Sequence, residues 1–290
     1  MKNFDHRAKG QLGILTAVGN TDPGKAANLH GRIEFFAVAY RQYILHRGNP
    51  WLMTGYVPDP VFLKAMTGFY RGRMGALEFI GDLRDDTQGT CCAMCGSLNS
   101  HQIDHFLPRV HYPEFAVFLP NLFPICSCNQ SKGNKTIGPN PGERFLHPAF
   151  DRRLGERSLF VRIRHHDDVP KYIVAIRKPK GVDDAAAFAF HTEKLVSQRR
   201  LRKYVRREFE RFCRRPCSVV RAFENADPVD KADLVRHLSA ELRESCKAHR
   251  SKNNWESVFL HALLERRTLA WIWKRMSEPG RVGGEPLVDL

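Results

Sequence analysis

Two close pairs of cysteines, Cys92-x-x-Cys95 and Cys126-x-Cys128, constrain this chain more than any other part of it. Thiolates this close together on a tight turn, here followed by Gly96, can reach one ion. Two such pairs supply the soft ligands of a closed, tetrahedral, structural zinc site. The second pair is one residue shorter than the usual Cys-x-x-Cys, and Cys91 adjoins Cys92, so the spacing leaves the exact ligand set open. If a histidine substitutes, His101 is the nearest.

Between the pairs lies His101-Gln-Ile-Asp-His-Phe-Leu-Pro108. Ile103, Phe106 and Leu107 predict a short strand stopped by Pro108, which puts Asp104 and His105 at its end with side chains on opposite faces. The run Asn121-Leu-Phe-Pro-Ile-Cys126 predicts a second strand. Asn129 then opens a short helix to Asn134, with an Asn or Ser expected to cap it. The predicted order is strand, long loop, strand, helix.

The series Cys-x-x-Cys, Asp-His-x-x-Pro, Asn-Leu-x-Pro-x-Cys and Cys-Asn-x-x-Lys-Gly resembles the HNH endonuclease family, whose ββα-metal fold is commonly stapled by a four-cysteine zinc site. The resemblance implies His105 as the general base that activates water, Asp104 and Asn129 as ligands of a catalytic divalent ion, and Asn121 as the residue that orients the base. Cys126-x-Cys128 departs from the family register but leaves Asp104, His105 and Asn129 in place. His147-Pro-Ala-Phe-Asp151 resembles an element that follows the core in some bacterial members, with His147 either near the metal or structural. The likeness further implies a stand-alone bacterial protein of the anti-phage defence kind, sometimes paired with a gating ATPase.

The chemistry agrees with those roles. Phosphodiester hydrolysis needs a nucleophilic water, an ion on the phosphate and a base near neutral pKa. Histidine is the side chain whose reference pKa already lies there. Carboxylate and amide oxygens are hard ligands suited to Mg²⁺ or Mn²⁺, so the catalytic ion should differ from the zinc.

The formal net charge is +15 over 290 residues, which points to a polyanionic partner, and nucleic acid is the commonest. DNA is the expected substrate, with RNA left open. No apolar run of membrane-spanning length exists and the N-terminus lacks a signal-peptide core, so a cytoplasmic protein without membrane contact is expected. A reducing compartment also suits cysteines used for zinc, with Cys213, Cys217 and Cys246 left as free thiols. Lys132 and Lys135 could neutralise phosphate near the scissile bond or simply line a solvated helix face.

The predicted class is α+β: an HNH-like core with structural zinc between helical flanks. Residues 1–88 read as an N-terminal helical region, 89–151 as the core, 152–182 as a β-hairpin, and 183–290 as a basic helical region. Residues 1–24 resemble a loose lead-in, with a basic Arg7-Ala-Lys9 arm and a turn at Asp22–Lys25. Helices are expected from about Ala26 to His46 and from Val61 to Leu83. Apolar and basic residues alternate over 158–164, and Tyr172–Ile176 is the predicted partner strand. The turn His165-His-Asp-Asp168 reads as a polar tip. A helix near 199–215 sets an apolar stripe against Arg199, Arg200, Lys203, Arg206 and Arg207; Glu208 and Glu210 are its sparse counterions, which favours nucleic-acid contact. A last helix starts at Asn254, with Trp255 in the packing. The competing expectation is a zinc-stabilised nucleic-acid-binding or regulatory module without turnover.

Overall fold

Apolar side chains at helical spacing dominate both ends of the chain and alternate in its middle. The fold follows that division, with helices flanking two small antiparallel hairpins in an α+β architecture. The structure is a computed structural model and describes residues 11–21, 29, 32–53, 59–72, 75–85, 90–98, 102–166, 169–181, 184–224 and 227–288.

The N-terminal flank contains α1 (Gln11–Thr21), α2 (Ile33–Leu45), α3 (Pro60–Gly72) and α4 (Phe79–Asp85). Helix α1 corrects the expectation of a loose lead-in. Leu15 and Val18 lie three apart on one helical face, and both are buried. The basic arm at Arg7–Lys9 and the turn at Asp22–Lys25 lie outside the described residues. Helix α2 buries Phe36, Tyr40 and Tyr43 but leaves Val38 and Leu45 exposed, so its apolar stripe is narrower than the sequence suggested. The single helix expected over 61–83 is broken into α3, a 3₁₀ turn at Gly75–Leu77, and α4. Gly75 has φ +57°, a left-handed conformation that cannot continue a right-handed helix.

Strand β1 (Gln102–His105) pairs antiparallel with β2 (Leu122–Ile125), in register from Gln102 opposite Ile125 to His105 opposite Leu122. A single turn of helix, α5 (Asn129–Lys132), follows. β1 is shorter than expected because the Leu107 N–H bonds the side-chain oxygen of Asn121, so the ladder ends before it. The cap of α5 is Cys128, without a side-chain capping bond, which corrects the capping role given to Asn129. Tyr112–Phe115 packs as a buried turn between the strands.

The second hairpin pairs β3 (Leu159–His166) with β4 (Val169–Ile176), longer than the alternation alone indicated. Asp167 and Asp168, at its expected polar tip, lie outside the described residues. The C-terminal flank contains α6 (Ala185–Leu195), α7 (Gln198–Arg214), α8 (Lys231–Ala248), α9 (Trp255–Leu263) and α10 (Arg266–Met276). Asp184, Ser197, Asp230 and Asn254 cap the first four with side-chain oxygens, each taking an otherwise unpaired N–H. The expected last helix is two helices, split at Leu264–Glu265. One hydrophobic cluster runs from Leu15 to Leu287 and draws side chains from both flanks, the β1–β2 core and the β3–β4 hairpin.

Candidate functional site

The sulfur atoms of Cys92, Cys95, Cys126 and Cys128 lie within 4.8 Å of one another, and all four residues are buried. Cys92 and Cys128 are 3.6 Å apart, Cys95 and Cys126 3.4 Å. Zinc–sulfur bonds of about 2.3 Å in a tetrahedron place sulfurs about 3.8 Å apart, so this cluster can hold a structural zinc with little adjustment. Its short second pair works because backbone N–H groups turn inward. Cys126 donates to the Cys92 sulfur at 3.4 Å and Cys128 to the Cys126 sulfur at 3.3 Å. In the thiol state the sulfurs share protons: the hydrogen bond between Cys126 and Cys128 holds the former far below its ordinary pKa and pushes the latter far above it. Cys91 is not part of the cluster, since its sulfur faces the His249 carbonyl at 3.8 Å. His101 lies outside the described residues.

Helices of the C-terminal flank hold the first cysteine turn. Its Met94 carbonyl accepts from His191 Nε2 at 2.7 Å, its Cys95 carbonyl from the Trp255 indole at 3.0 Å, and its Gly96 carbonyl from the Trp255 N–H at 3.0 Å. Gly96 itself takes φ +81°, which glycine adopts freely. His191 is fully buried and its Nδ1 accepts from the Leu146 N–H, so the proton sits on Nε2. Burial holds its pKa down to about 4. Trp255 belongs to the packing, as expected, but also supports the cysteine turn. His191 lies in an apolar helix with no pattern that could have marked it.

The other end of β1 carries Asp104 and His105. They leave the strand in opposite directions, as strand alternation requires. His105 is buried against the Tyr70 ring, with centroids 4.5 Å apart. Its Nε2 lies 2.8 Å from the Ala116 carbonyl. A carbonyl only accepts, so Nε2 carries the proton and Nδ1 keeps its lone pair. Burial is the main reason its pKa falls to about 4, which leaves the ring in its neutral, basic form at ordinary pH. Asp104 meets Lys132, whose Nζ lies 2.7 Å from the carboxylate and 2.7 Å from the His105 carbonyl.

Lys132 is 1% exposed, which corrects both readings given to it. It neither lines a solvated face nor reaches phosphate, because the partly buried Asp104 takes its charge. Lys135 is exposed and remains available to an anion. Asn129 is partly buried at the start of α5, three residues before Lys132, and no contact joins its side chain to Asp104 or His105 among the described residues. The Asp104 carboxylate keeps 19% exposure beside its lysine. Carboxylate and amide oxygens are the donor type that a hard divalent ion requires.

Asn121 does not touch the His105 ring. Its amide bonds both backbone groups of Leu107 and the Phe115 carbonyl, at 2.8 to 3.2 Å. It thereby fixes the loop whose next residue, Ala116, holds His105, so it positions that ring through the loop. Tyr43 donates to the same amide oxygen at 2.9 Å and lies 2.9 Å from His147 Nε2. His147 Nδ1 accepts from the Ala149 N–H, and the ring is fully buried among Phe106, Phe123 and Phe150. His147 therefore ties the core to α2, in keeping with the structural one of its two expected roles. Tyr43 and Tyr70 were hidden in apolar stripes.

On α7, Arg199 and Lys203 are exposed and make no ion pair among the described residues. Arg206 pairs with Glu210, and Glu208 takes both Arg207 and Arg211. Arg200 lies half-buried with its guanidinium 5.9 Å from the Trp255 ring centroid. The free positive charge on α7 is thus smaller than the sequence suggested. No helix among the described residues is long and apolar enough to cross a membrane.

No family model matches the chain, and no solved structure matches it. Protein ea31 of Escherichia phage lambda is 35% identical over 77 residues, which are 26% of this chain and 26% of the phage protein. The match therefore spans about a quarter of either protein.

Proposed function

We propose that this protein is a metal-dependent endonuclease of the HNH type that hydrolyses phosphodiester bonds of DNA. The observation that supports the reading is the clamp of Lys132 on Asp104 and the His105 carbonyl, which ties α5 to the strand end that bears a neutral histidine. His105, with its proton fixed on Nε2 by Ala116, takes a proton from water at Nδ1. Asp104 and Asn129 would hold Mg²⁺ or Mn²⁺, which supplies positive charge to the phosphate and the leaving oxygen. Lys132 holds Asp104 in place and offsets its charge. The cysteine cluster would bind zinc and take no part in the chemistry.

A second reading has its own support: Asp104 is already neutralised by Lys132 and His105 is only 6% exposed, which suits a zinc-stabilised nucleic-acid-binding module without turnover. Incubating wild-type protein and His105→Ala with supercoiled plasmid and Mg²⁺ or Mn²⁺ separates the two. Nicked or linear plasmid from the wild type alone supports the nuclease. Plasmid that is bound yet stays intact with every divalent ion tried would leave the binding module. A gating ATPase and a role in anti-phage defence belong to the first reading, by analogy with stand-alone members of that family.

A further inference from the structure

The outer face of the β3–β4 hairpin is a second positive surface, and its origin is in the alternation of the strands. Leu159, Val161 and Ile163 turn inward and are buried; Tyr172, Val174 and Ile176 lie partly buried on the same side. The hairpin packs against α7, α9 and α10, and Thr268 of α10 donates to the Ile163 carbonyl. Every second residue must then face out. Toward the tip these include Arg162 and Arg164 on β3, with Ile173 and Lys171 opposite them on β4, all four exposed; nearer the base Phe160 and Ala175 are partly buried, with the Phe160 ring 5.6 Å from that of His261. Arg177, at the base of the hairpin, lies with its guanidinium 5.0 Å from the Phe160 ring centroid.

None of Arg162, Arg164, Lys171 and Arg177 makes an ion pair among the described residues. On α7, Glu208 and Glu210 take up three arginines, while Arg199, Arg202, Lys203 and Arg214 stay exposed without an ion pair among the described residues. The hairpin differs in setting its bases on a two-stranded ribbon with no acid of its own among them. Four exposed bases without an ion pair among the described residues give this face positive charge; Asp167 and Asp168 of the turn lie outside the described residues.

Resting on the nuclease reading of the β1–β2 end, we infer that this hairpin face is the principal DNA-docking surface, and that it lies against the major groove of a duplex. Shape and charge both favour that occupant. Two strands about 4.8 Å apart form a ribbon that the major groove, about 12 Å wide, admits. Eight residues per strand reach about 26 Å, the length of roughly eight base pairs. Outward arginines and lysines neutralise the phosphates on either side, and Ile173, 41% exposed between them, supplies apolar contact to base edges. The inner face is fixed by the helices, so the ribbon is presented already formed and loses little conformational freedom on docking.

The test uses the whole 290-residue chain with His105→Ala, which removes the proposed base so that binding is read apart from cutting, and a fluorescent duplex several times longer than the ribbon. Binding is measured over a salt series in buffer without added divalent ion. Adding Arg162→Gln, Arg164→Gln and Lys171→Gln is expected to weaken binding at least tenfold near ~0.1 M salt. It should also flatten the plot of log affinity against log salt by about 2 to 3, since each phosphate contact contributes a slope of about 0.9. Lysine at both arginine positions should keep the slope. Loss of binding in that lysine variant too would mark a structural effect and overturn the inference. Unchanged affinity in the glutamine variant, with loss on replacing Arg199, Arg202 and Lys203 instead, would move the contact to α7. Equal weakening on single-stranded DNA of the same sequence would remove the groove assignment. Plasmid cleavage by the wild type is scored separately. Cleavage with hairpin-independent binding overturns this inference and leaves the nuclease reading; hairpin-dependent binding without cleavage does the reverse.

Discussion

The two ends of the β1–β2 hairpin are held by different physics. At the Gln102–Ile125 end, four sulfurs converge and three successive carbonyls of the cysteine turn are taken up by His191 and Trp255. At the His105–Leu122 end one buried ammonium does most of the holding, and a carboxylate and an imidazole sit beside it with bonding capacity to spare. A closed site is built from ligands that satisfy one another. An end that meets a reactant must keep some of its groups unsatisfied. On the proposed reading, the hairpin separates stability from reactivity by only four residue pairs.

Substitution at the sulfur end should produce the largest change. Cys92→Ser removes one ligand and the acceptor of the Cys126 N–H bond. Because binding energy at a structural zinc site is folding energy, bound zinc and cooperative unfolding should be lost together, read by metal analysis and thermal melting. A folded variant with a normal melting temperature would mean the sulfurs contribute packing alone. His105→Ala at the opposite end should do the reverse. Cleavage should fall roughly 10²–10⁴-fold, the range that general-base catalysis supplies, while zinc content stays constant. Zinc loss in that variant would show that the two ends are not independent.

Asn121→Ala should fall between these extremes and move both readouts. It leaves the Leu107 N–H and the carbonyls of Leu107 and Phe115 without their partner in a buried loop. An unsatisfied buried group costs about 1–3 kcal/mol, so stability should drop by a few kcal/mol in urea titration. Cleavage should fall as well, since Ala116 would no longer hold the His105 ring. A stability loss with unchanged cleavage would confine Asn121 to scaffolding.

How much of this was legible in the sequence depended on whether a residue acts through its neighbours in the chain or through distant ones. The strand–loop–strand–helix order, the cysteine pairs and the Asn254 cap follow from local spacing, and the structure contains them. The ligand set needed three dimensions, because Cys91 and Cys92 differ only in which way they face. Lys132 was misread because a lysine after Cys-Asn looks solvated until its pairing with Asp104 is seen. The two readings of His147 could not be separated locally, since its partner Tyr43 lies 104 residues away. The break after α3 was signalled by Gly72 and Gly75 but outweighed by the apolar residues around them.

The smallest effect tests the support behind the zinc end. His191 has its pKa held down to about 4 by burial, against about 6.5 in an unfolded chain. A histidine depressed in this way is neutral in the fold, so its contribution is complete above pH 6.5 and is lost as pH falls toward 4. At about 1.4 kcal/mol per pH unit, up to roughly 3 kcal/mol is at stake over that interval. His191→Asn should cost about 1–3 kcal/mol at neutral pH by leaving Met94 or Leu146 unpaired. The deficit relative to wild type should then shrink as pH drops, because the wild type loses what the variant never had. Protonation of His105 and of the cysteines is common to both proteins and cancels in the difference. Urea midpoints at stepped pH values would show the two curves converging. Parallel curves would mean that the imidazole is not held neutral in the fold, and that its Nδ1 does not accept from the Leu146 N–H.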